Sequence, residues 1–305
     1  MYDLVIVGGG PGGVAAGVYA ARKKIKTLII AETFGGQSLV SADIKNWIGT
    51  KSISGFELAK ALEEHLRAQE DIEIIDGVLV NKVVKEGSAF KVVTSDGKEF
   101  QTKNVLISSG SRRRKLDIPG ETKFDGRGVA YCSTCDAPIF KNKRVAVVGG
   151  GNAGLEAVLD LIPYATEIYL IQRSDILKGD STTQEKIKSD SKVKIITMAK
   201  PLEIEGDKFV ENLKYEDRNT GEIKEIRLEG VFVEVGSIPN ADMVKDLVEL
   251  NKYGEIVVDH KTQRTSCEGI WAAGDVSDVI YKQNNISAGD AVKAVLDIYG
   301  NLNKN

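Results

Sequence analysis

Cysteine and histidine are scarce in this chain of 305 residues, with three of the first and two of the second. Three cysteines are too few for the bridged framework of a small secreted domain. His65, His260 and Cys267 stand alone without knuckle spacing, so no zinc site can be assembled around the remaining cysteine pair and no metal is expected. Positive charge is not in excess either. A net charge of -3 and a pI near 5.7 leave no broad basic face for nucleic-acid phosphates. The one sharp basic run, Arg112-Arg113-Arg114, reads as a solvated linker or as a contact for cofactor phosphates or an acidic partner. No apolar stretch approaches the ~18 residues of a membrane span. The start Met1-Tyr2-Asp3 leads straight into an apolar strand with no export signal. The expectation is a soluble, cytoplasmic protein that touches neither membrane nor nucleic acid.

What is present is a repeat. Strand 3–7 is followed by Gly8-Gly9-Gly10-Pro11-Gly12-Gly13, a helix-spaced Ala-rich segment to Lys24, and strand 27–31. The same order returns as strand 144–148, Gly149-Gly150-Gly151, helix 152–161 and strand 167–171. Each βαβ unit is followed by alternating strands around a turn, Asp96-Gly97 in the first and Asn219-Thr220-Gly221 in the second. Each half then closes on an apolar strand ending in glycine, 105–110 and 231–236. A late strand before Ala272-Ala273-Gly274-Asp275, with a helix over 288–299, supplies what the first half lacks. The predicted fold is therefore α/β, with two Rossmann-like three-layer dinucleotide-binding domains, the second inserted in the first. The expected boundaries are 1–115 and 242–305 for the outer domain and 116–241 for the inserted one.

A lone G-x-G-x-x-G is weak, but Gly8, Gly10 and Gly13 lie between a strand and a helix, with Glu32 nineteen residues after Gly13 near the end of the next strand. The first glycine permits the turn, the second admits a pyrophosphate, the third lets helix pack on strand, and Glu32 accepts from a ribose. Gly149, Gly151 and Gly154 repeat the spacing, yet the strand ends in Gln172-Arg173 with no carboxylate. An arginine there suits the 2′-phosphate of NADP, which tips the coenzyme toward NADPH while leaving NADH open.

Cys132-Ser133-Thr134-Cys135-Asp136 precedes the second nucleotide unit. Redox cycling is the leading role, because thiolates exchange with disulfides and an adjacent carboxylate can supply or take the proton. Asp136 as the plain N-cap of a following turn is the alternative. Cys267 is expected to be a spectator.

Two nucleotide fingerprints, a C-x-x-C-D between them and the late Gly-Asp segment together resemble the low-molecular-weight thioredoxin reductases. The resemblance covers nearly the whole chain and includes Gly35-Gly36-Gln37, Asn46, the C-x-x-C-D, Gly149 to Gly154 and Gly274-Asp275. Tyr281-Lys282-Gln283, Gly35-Gly36-Gln37 and Asn152 look especially like the reductase portion of the flavoprotein subunit of alkyl hydroperoxide reductase, without its additional N-terminal thioredoxin-like domains.

The resemblance implies FAD on the outer domain and NAD(P)H on the inserted one. Gly8, Gly10, Gly13 and Glu32 would contact the adenosine half of FAD, and Gly36, Gln37 and Asn46 the region near the flavin ring. Gly274 and Asp275 would meet the ribityl chain, Gln283 the ring edge, and Gly149, Gly151, Gly154 and Arg173 the nicotinamide coenzyme. It further implies a Cys132–Cys135 disulfide in which Cys135 faces the flavin, Cys132 attacks a thioredoxin- or glutaredoxin-like partner, and Asp136 is the acid. The C-terminal histidine of larger disulfide reductases is absent, since no histidine follows His260. A homodimer is implied, as is rotation of the inserted domain, because disulfide and nicotinamide must reach one flavin in turn. Ala137-Pro138 stands where the family has glycine, and Gln172-Arg173-Ser174 where NADPH-specific members have His-Arg-Arg. Two other readings stay open: an NAD(P)H oxidase or peroxiredoxin-linked reductase, and a non-catalytic FAD-binding redox sensor.

Overall fold

The computed structural model describes residues 1–41 and 44–303. In chain order the first elements are β1 (Tyr2–Gly9), α1 (Pro11–Arg22), β2 (Thr27–Phe34), α2 (Gly55–Arg67), β3 (Ile72–Asp76), β4 (Val80–Glu86), β5 (Ala89–Thr94), β6 (Glu99–Ile107) and β7 (Ser111–Arg113). Next come β8 (Val129–Ala130), α3 (Ser133–Asp136), β9 (Arg144–Val148), α4 (Asn152–Leu161), β10 (Glu167–Ile171), α5 (Ser181–Ser189) and β11 (Val193–Ile196). The antiparallel β12 (Ala199–Glu205), β13 (Asn212–Asp217) and β14 (Ile223–Arg227) lead to β15 (Gly230–Val233). β16 (Ser237–Pro239), β17 (Ile270–Ala272) and α6 (Asn284–Leu302) complete the chain.

These elements form two compact units. The first holds Met1–Val40, Ile44–Arg112 and the segment from Ile238 on; the second holds Arg113–Ser237. β7 and β16, which carry the chain across, pair with each other.

In the first unit the order β3-β2-β1-β6 is parallel throughout. β6 is long enough to serve twice. Its start pairs antiparallel with β5, and its end pairs parallel with β17, so the C-terminal segment supplies the fifth parallel strand. Both faces are covered, which is why β1 reads as a continuous apolar run rather than an alternation. Leu4 and Ile6 enter the core under α1 and α6, while Val5 and Val7 enter the core under the hairpin and the 241–258 segment.

The second unit repeats the plan with the parallel order β11-β10-β9-β15-β8. Val145 and Val147 pack beneath α4, and Ala146 and Val148 beneath the β12-β13-β14 sheet. Its fifth strand, β8, comes from before β9 and runs directly into α3.

Several elements differ from the sequence reading. β2 continues to Phe34, because Phe34 pairs with Gly9 and the Gly35 amide donates to the Gly9 carbonyl, so Glu32 sits inside the strand. The closing strands stop at Ile107 and Val233, before their glycines. α6 starts at Asn284, four residues before the expected 288, after Gln283, whose side chain caps nothing. Among the described residues no helix is long and apolar enough to cross a membrane, and no cluster of three or more His, Cys, Asp or Glu could hold a metal.

Candidate active site

In the first unit the glycine turn is dictated by contact. Gly8 has φ +117°, and a Cβ there would lie 2.3 Å from the Ser108 carbonyl oxygen. A Cβ on Gly13 would lie 1.9 Å from the Gly8 carbonyl oxygen, so only glycine lets α1 start this close to β1. Gly10 is different: a Cβ there would have only the Gly36 Cα within 4 Å. α1 begins with Pro11 after Gly10, and no side chain accepts from its first amides. Uncapped amides beside open space fit a pyrophosphate. Glu32 projects into solvent from β2.

The residues expected near the flavin ring come together in part. Asn46 Nδ2 donates to Gln283 Oε1 at 3.1 Å, although 237 residues separate them, and Asn285 Nδ2 donates to the Asn46 carbonyl at 2.7 Å. Ser287 Oγ donates to Asp275 Oδ1 at 3.4 Å, and Ser287 also crowds Gly274, whose φ is +76°. Gly36, with φ +57°, faces Gly10. Gln37 is held elsewhere, its amide donating to the Ser111 carbonyl at 2.5 Å. Sequence reasoning gave Lys282 no role of its own. Its Nζ donates to the carbonyls of Asp275 and Ser277 and pairs with Glu255 at 2.8 Å, pinning the loop that carries Asp275.

The second turn repeats the pattern, two close contacts and one opening. Gly149 has φ +126° and its Cβ would meet the Glu234 carbonyl oxygen at 2.2 Å. A Cβ on Gly154 would meet the Gly149 carbonyl oxygen at 1.7 Å, and one on Gly151 would meet nothing within 4 Å. α4, like α1, has no side-chain cap. Gln172 is not a ribose contact. It is buried and turns back, Oε1 accepting from the Gly150 amide at 3.0 Å and Nε2 donating to Ser174 Oγ and the Ile176 carbonyl. Arg173 and Lys178 are left exposed, and Arg218 donates to the Arg173 carbonyl at 3.2 Å. The Lys178 amide closes on the Gly150 carbonyl at 2.7 Å, and Asn152 Oδ1 accepts from the Asp180 amide at 2.7 Å. A single apolar-period reading carries no sign of such side-chain-to-turn bonds.

Just after β8, Cys132 and Cys135 form a disulfide with their Cα atoms 5.4 Å apart, across one turn of α3. Both cysteines are partly exposed. Ser133 Oγ and Thr134 Oγ1 donate to Asp160 Oδ2 at 2.8 and 3.2 Å, tying the redox turn to α4. The Asp136 side chain caps nothing, which removes the N-cap alternative. Burial pushes its carboxyl up to about 6, against the opposing pull of the Arg113 guanidinium. Arg113, from the basic run, is thus not a plain solvated linker charge. It is partly buried and charges the surroundings of Asp136 and of Glu234.

A disulfide beside a half-buried acid, in a unit with one dinucleotide turn and joined to a second such unit, is the arrangement of a nicotinamide-linked disulfide enzyme. The family model described as pyridine nucleotide-disulphide oxidoreductase matches residues 2–291. The chain belongs to that family. It is similar to the F component of alkyl hydroperoxide reductase in Pseudomonas putida, 44% identical over 304 residues that cover 99% of this chain and 58% of that protein. The counterpart in Staphylococcus epidermidis is 41% identical over 100% of this chain and 60% of its own length. The chain therefore spans less than two thirds of these curated relatives. Among solved structures, thioredoxin reductase from Streptococcus pyogenes superposes with a TM-score of 0.90 at 35% identity, covering 100% of this chain and 99% of that one. Pyridine nucleotide-disulphide oxidoreductases use FAD and NAD(P)H, and the openings at Gly10 and Gly151 suit two pyrophosphates.

Proposed function

We propose that this chain is a thioredoxin reductase, moving electrons from NAD(P)H through FAD and the Cys132–Cys135 disulfide to the disulfide of a thioredoxin- or glutaredoxin-like protein. The observation that carries this reading is the half-buried Asp136 held beside that disulfide with its carboxyl near 6. Bound FAD would supply the two-electron relay between nicotinamide and disulfide.

The chain's own residues do the rest. Gly8, Gly10, Gly13 and Glu32 would hold the adenosine half of FAD, with Gly36, Gln37, Asn46, Gly274, Asp275 and Gln283 toward its ring and ribityl side. Gly149, Gly151 and Gly154 would hold the coenzyme pyrophosphate. Arg173, exposed just after β10, favours the 2′-phosphate of NADPH over NADH. Cys135 would face the flavin and Cys132 would attack the partner's disulfide. Asp136 would give its proton to the departing sulfur, a transfer suited to an acid whose pKa lies near the working pH. A homodimer in the reducing cytoplasm is the proposed setting.

A second reading has its own support. Identity is 44% to the alkyl hydroperoxide reductase component and 35% to the Streptococcus thioredoxin reductase. The partner would then be a thioredoxin-like carrier that serves a peroxidase. The test is anaerobic: the flavin-loaded protein is mixed with NADPH or NADH, bleaching is followed, and an oxidised thioredoxin is added. Bleaching that thioredoxin reverses, with stoichiometric thiol release that is lost in Cys132→Ser, is the expected result. Bleaching reversed only by oxygen would replace this function with an oxidase.

A further inference from the structure

Both chain neighbours of Cys132 are hydrogen-bonded to carboxylates that no step so far uses. Before it stands Tyr131, just after β8, whose hydroxyl donates to Glu121 Oε1 at 3.0 Å. Glu121 is only 2% exposed, and a carboxylate so placed is costly unless its oxygens are satisfied. They are: Oε1 also accepts from the Leu116 amide at 3.0 Å, and Oε2 accepts from the Asp117 amide at 2.8 Å. After Cys132 stands the buried Ser133, whose hydroxyl, with that of Thr134, donates to Asp160 Oδ2 on α4. The chain on the two sides of Cys132 is thus fastened to two separate supports, the 116–121 segment and α4. All of these groups lie in the second unit.

We propose that Glu121 and Asp160 are positioning residues of the redox disulfide, fixing the chain on both sides of Cys132 so that the two sulfurs are held ready to bond. The inference rests on the reading of Cys132–Cys135 as the redox centre. When the S–S bond opens to the dithiol, two electrons and two protons enter the pair, and each cysteine gains torsional freedom that closure must remove. A chain held at Tyr131, Ser133 and Thr134 has less of that freedom to lose, so the effective concentration of one sulfur at the other is higher. The bonds therefore favour the disulfide over the dithiol. Removing one of them adds freedom chiefly to the dithiol, because in the disulfide the covalent ring itself restrains the turn. A bond that served folding alone would lower the stability of both redox forms alike and leave the ratio between them unchanged.

The test places the full flavin-loaded chain, without coenzyme, in anaerobic dithiothreitol buffers of graded dithiol-to-disulfide ratio at neutral pH. Opening one protein disulfide closes one dithiothreitol to its cyclic disulfide, so two electrons and two protons pass to the protein. The fraction opened is read by acid quench, alkylation and mass. Tyr131→Phe deletes only the hydroxyl and keeps the ring that packs on the core. It should shift the equilibrium toward the dithiol about threefold to tenfold, the range set by one hydrogen bond. Asp160→Ala should shift it the same way, while Asp160→Asn, which keeps an acceptor oxygen without the charge, should stay near wild type. A ratio unchanged in Tyr131→Phe overturns the role of Glu121, and one unchanged in Asp160→Ala overturns that of Asp160. Equal shifts in Asp160→Asn and Asp160→Ala also overturn the latter, since charge rather than position would then be at work. Should Tyr131→Phe fail to fold, the two Asp160 variants decide the proposal. If dithiothreitol leaves the wild-type pair closed at every ratio, the reading of that pair as the redox centre falls, and this inference with it.

Discussion

The two units solve one problem with different parts. In each, a middle glycine must have its backbone groups satisfied while its neighbour stays open for a phosphate. The first unit does it with main chain: β2 runs on to Phe34, which pairs with Gly9, and the Gly35 amide donates to the Gly9 carbonyl. In the second, β10 ends at Ile171, and a side chain replaces the missing strand as Gln172 takes the Gly150 amide. The exchange has a consequence for the ligand. Extending the strand leaves Glu32 as the outward group, whereas turning Gln172 onto the turn leaves Arg173 in that place. The fifth strand differs too. β17 closes the first sheet from the far end of the chain, while β8 closes the second and delivers Cys132 to its rim. The same scaffold thus acquires separate chemistries at strand ends, where side chains are free of the core.

The hardest break in this comparison is at the third glycine of each turn. Gly154→Ala places a methyl 1.7 Å from the Gly149 carbonyl oxygen, and Gly13→Ala one 1.9 Å from that of Gly8. Both obstacles are main chain, so helix and strand must separate, at roughly 3 kcal/mol or more. Gly154→Ala should lose nicotinamide coenzyme binding yet purify yellow, and Gly13→Ala should purify colourless. Absorbance of the purified protein and coenzyme titration read both. Loss of FAD from both variants alike would mean that the turns do not hold separate cofactors.

A smaller effect is expected where the units differ. Gln172→Ala leaves the buried Gly150 amide without its acceptor, a cost of about 1–3 kcal/mol. The coenzyme Kd should rise some tenfold to a hundredfold with FAD content unchanged. Glu32→Ala, at the matching position of the first unit, bears on no turn amide and should leave coenzyme Kd where it is. Equal Kd for Gln172→Ala and wild type, by fluorescence titration, would show that the side chain is not the prop of this turn.

Much of this was legible from local pattern. Strands β9 and β10 and helix α4 have the bounds read from the sequence, because each is a complete apolar period bracketed by glycine or charge. The Cys132–Cys135 pair and both glycine turns announce themselves by spacing. What escaped depends on residues far apart. Arg113 acts on both Asp136 and Glu234 across 23 and 121 positions of sequence. β8, with two residues, is too short to show a period. Gln172 looked like an empty ribose position, since nothing in its neighbourhood tells an amide facing solvent from one turned inward.

The mildest test concerns charge. Two carboxyls held above their ordinary value, Asp136 at about 6 and Glu234 at about 7, lie in the second unit, raised chiefly by burial. In the first unit Asp96 goes the other way, lowered to about 2 by bonds from Thr94 and Lys98. Between about pH 4 and pH 6 the folded chain keeps a proton on Asp136 that the unfolded chain has lost. Stability from this group therefore falls as pH rises through that window and is level above it. Two pKa units correspond to roughly 3 kcal/mol, and partial exposure reduces this to about 1–2 kcal/mol. Asp136→Asn should thus melt a few degrees above wild type at pH 8 and level with it at pH 4. Asp96→Asn should do the opposite, melting below wild type at pH 7 by a margin that closes only as pH falls through about 2. Paired melting curves across pH check both signs, and a pH-independent offset for Asp136→Asn would show that its carboxyl is not held up by burial.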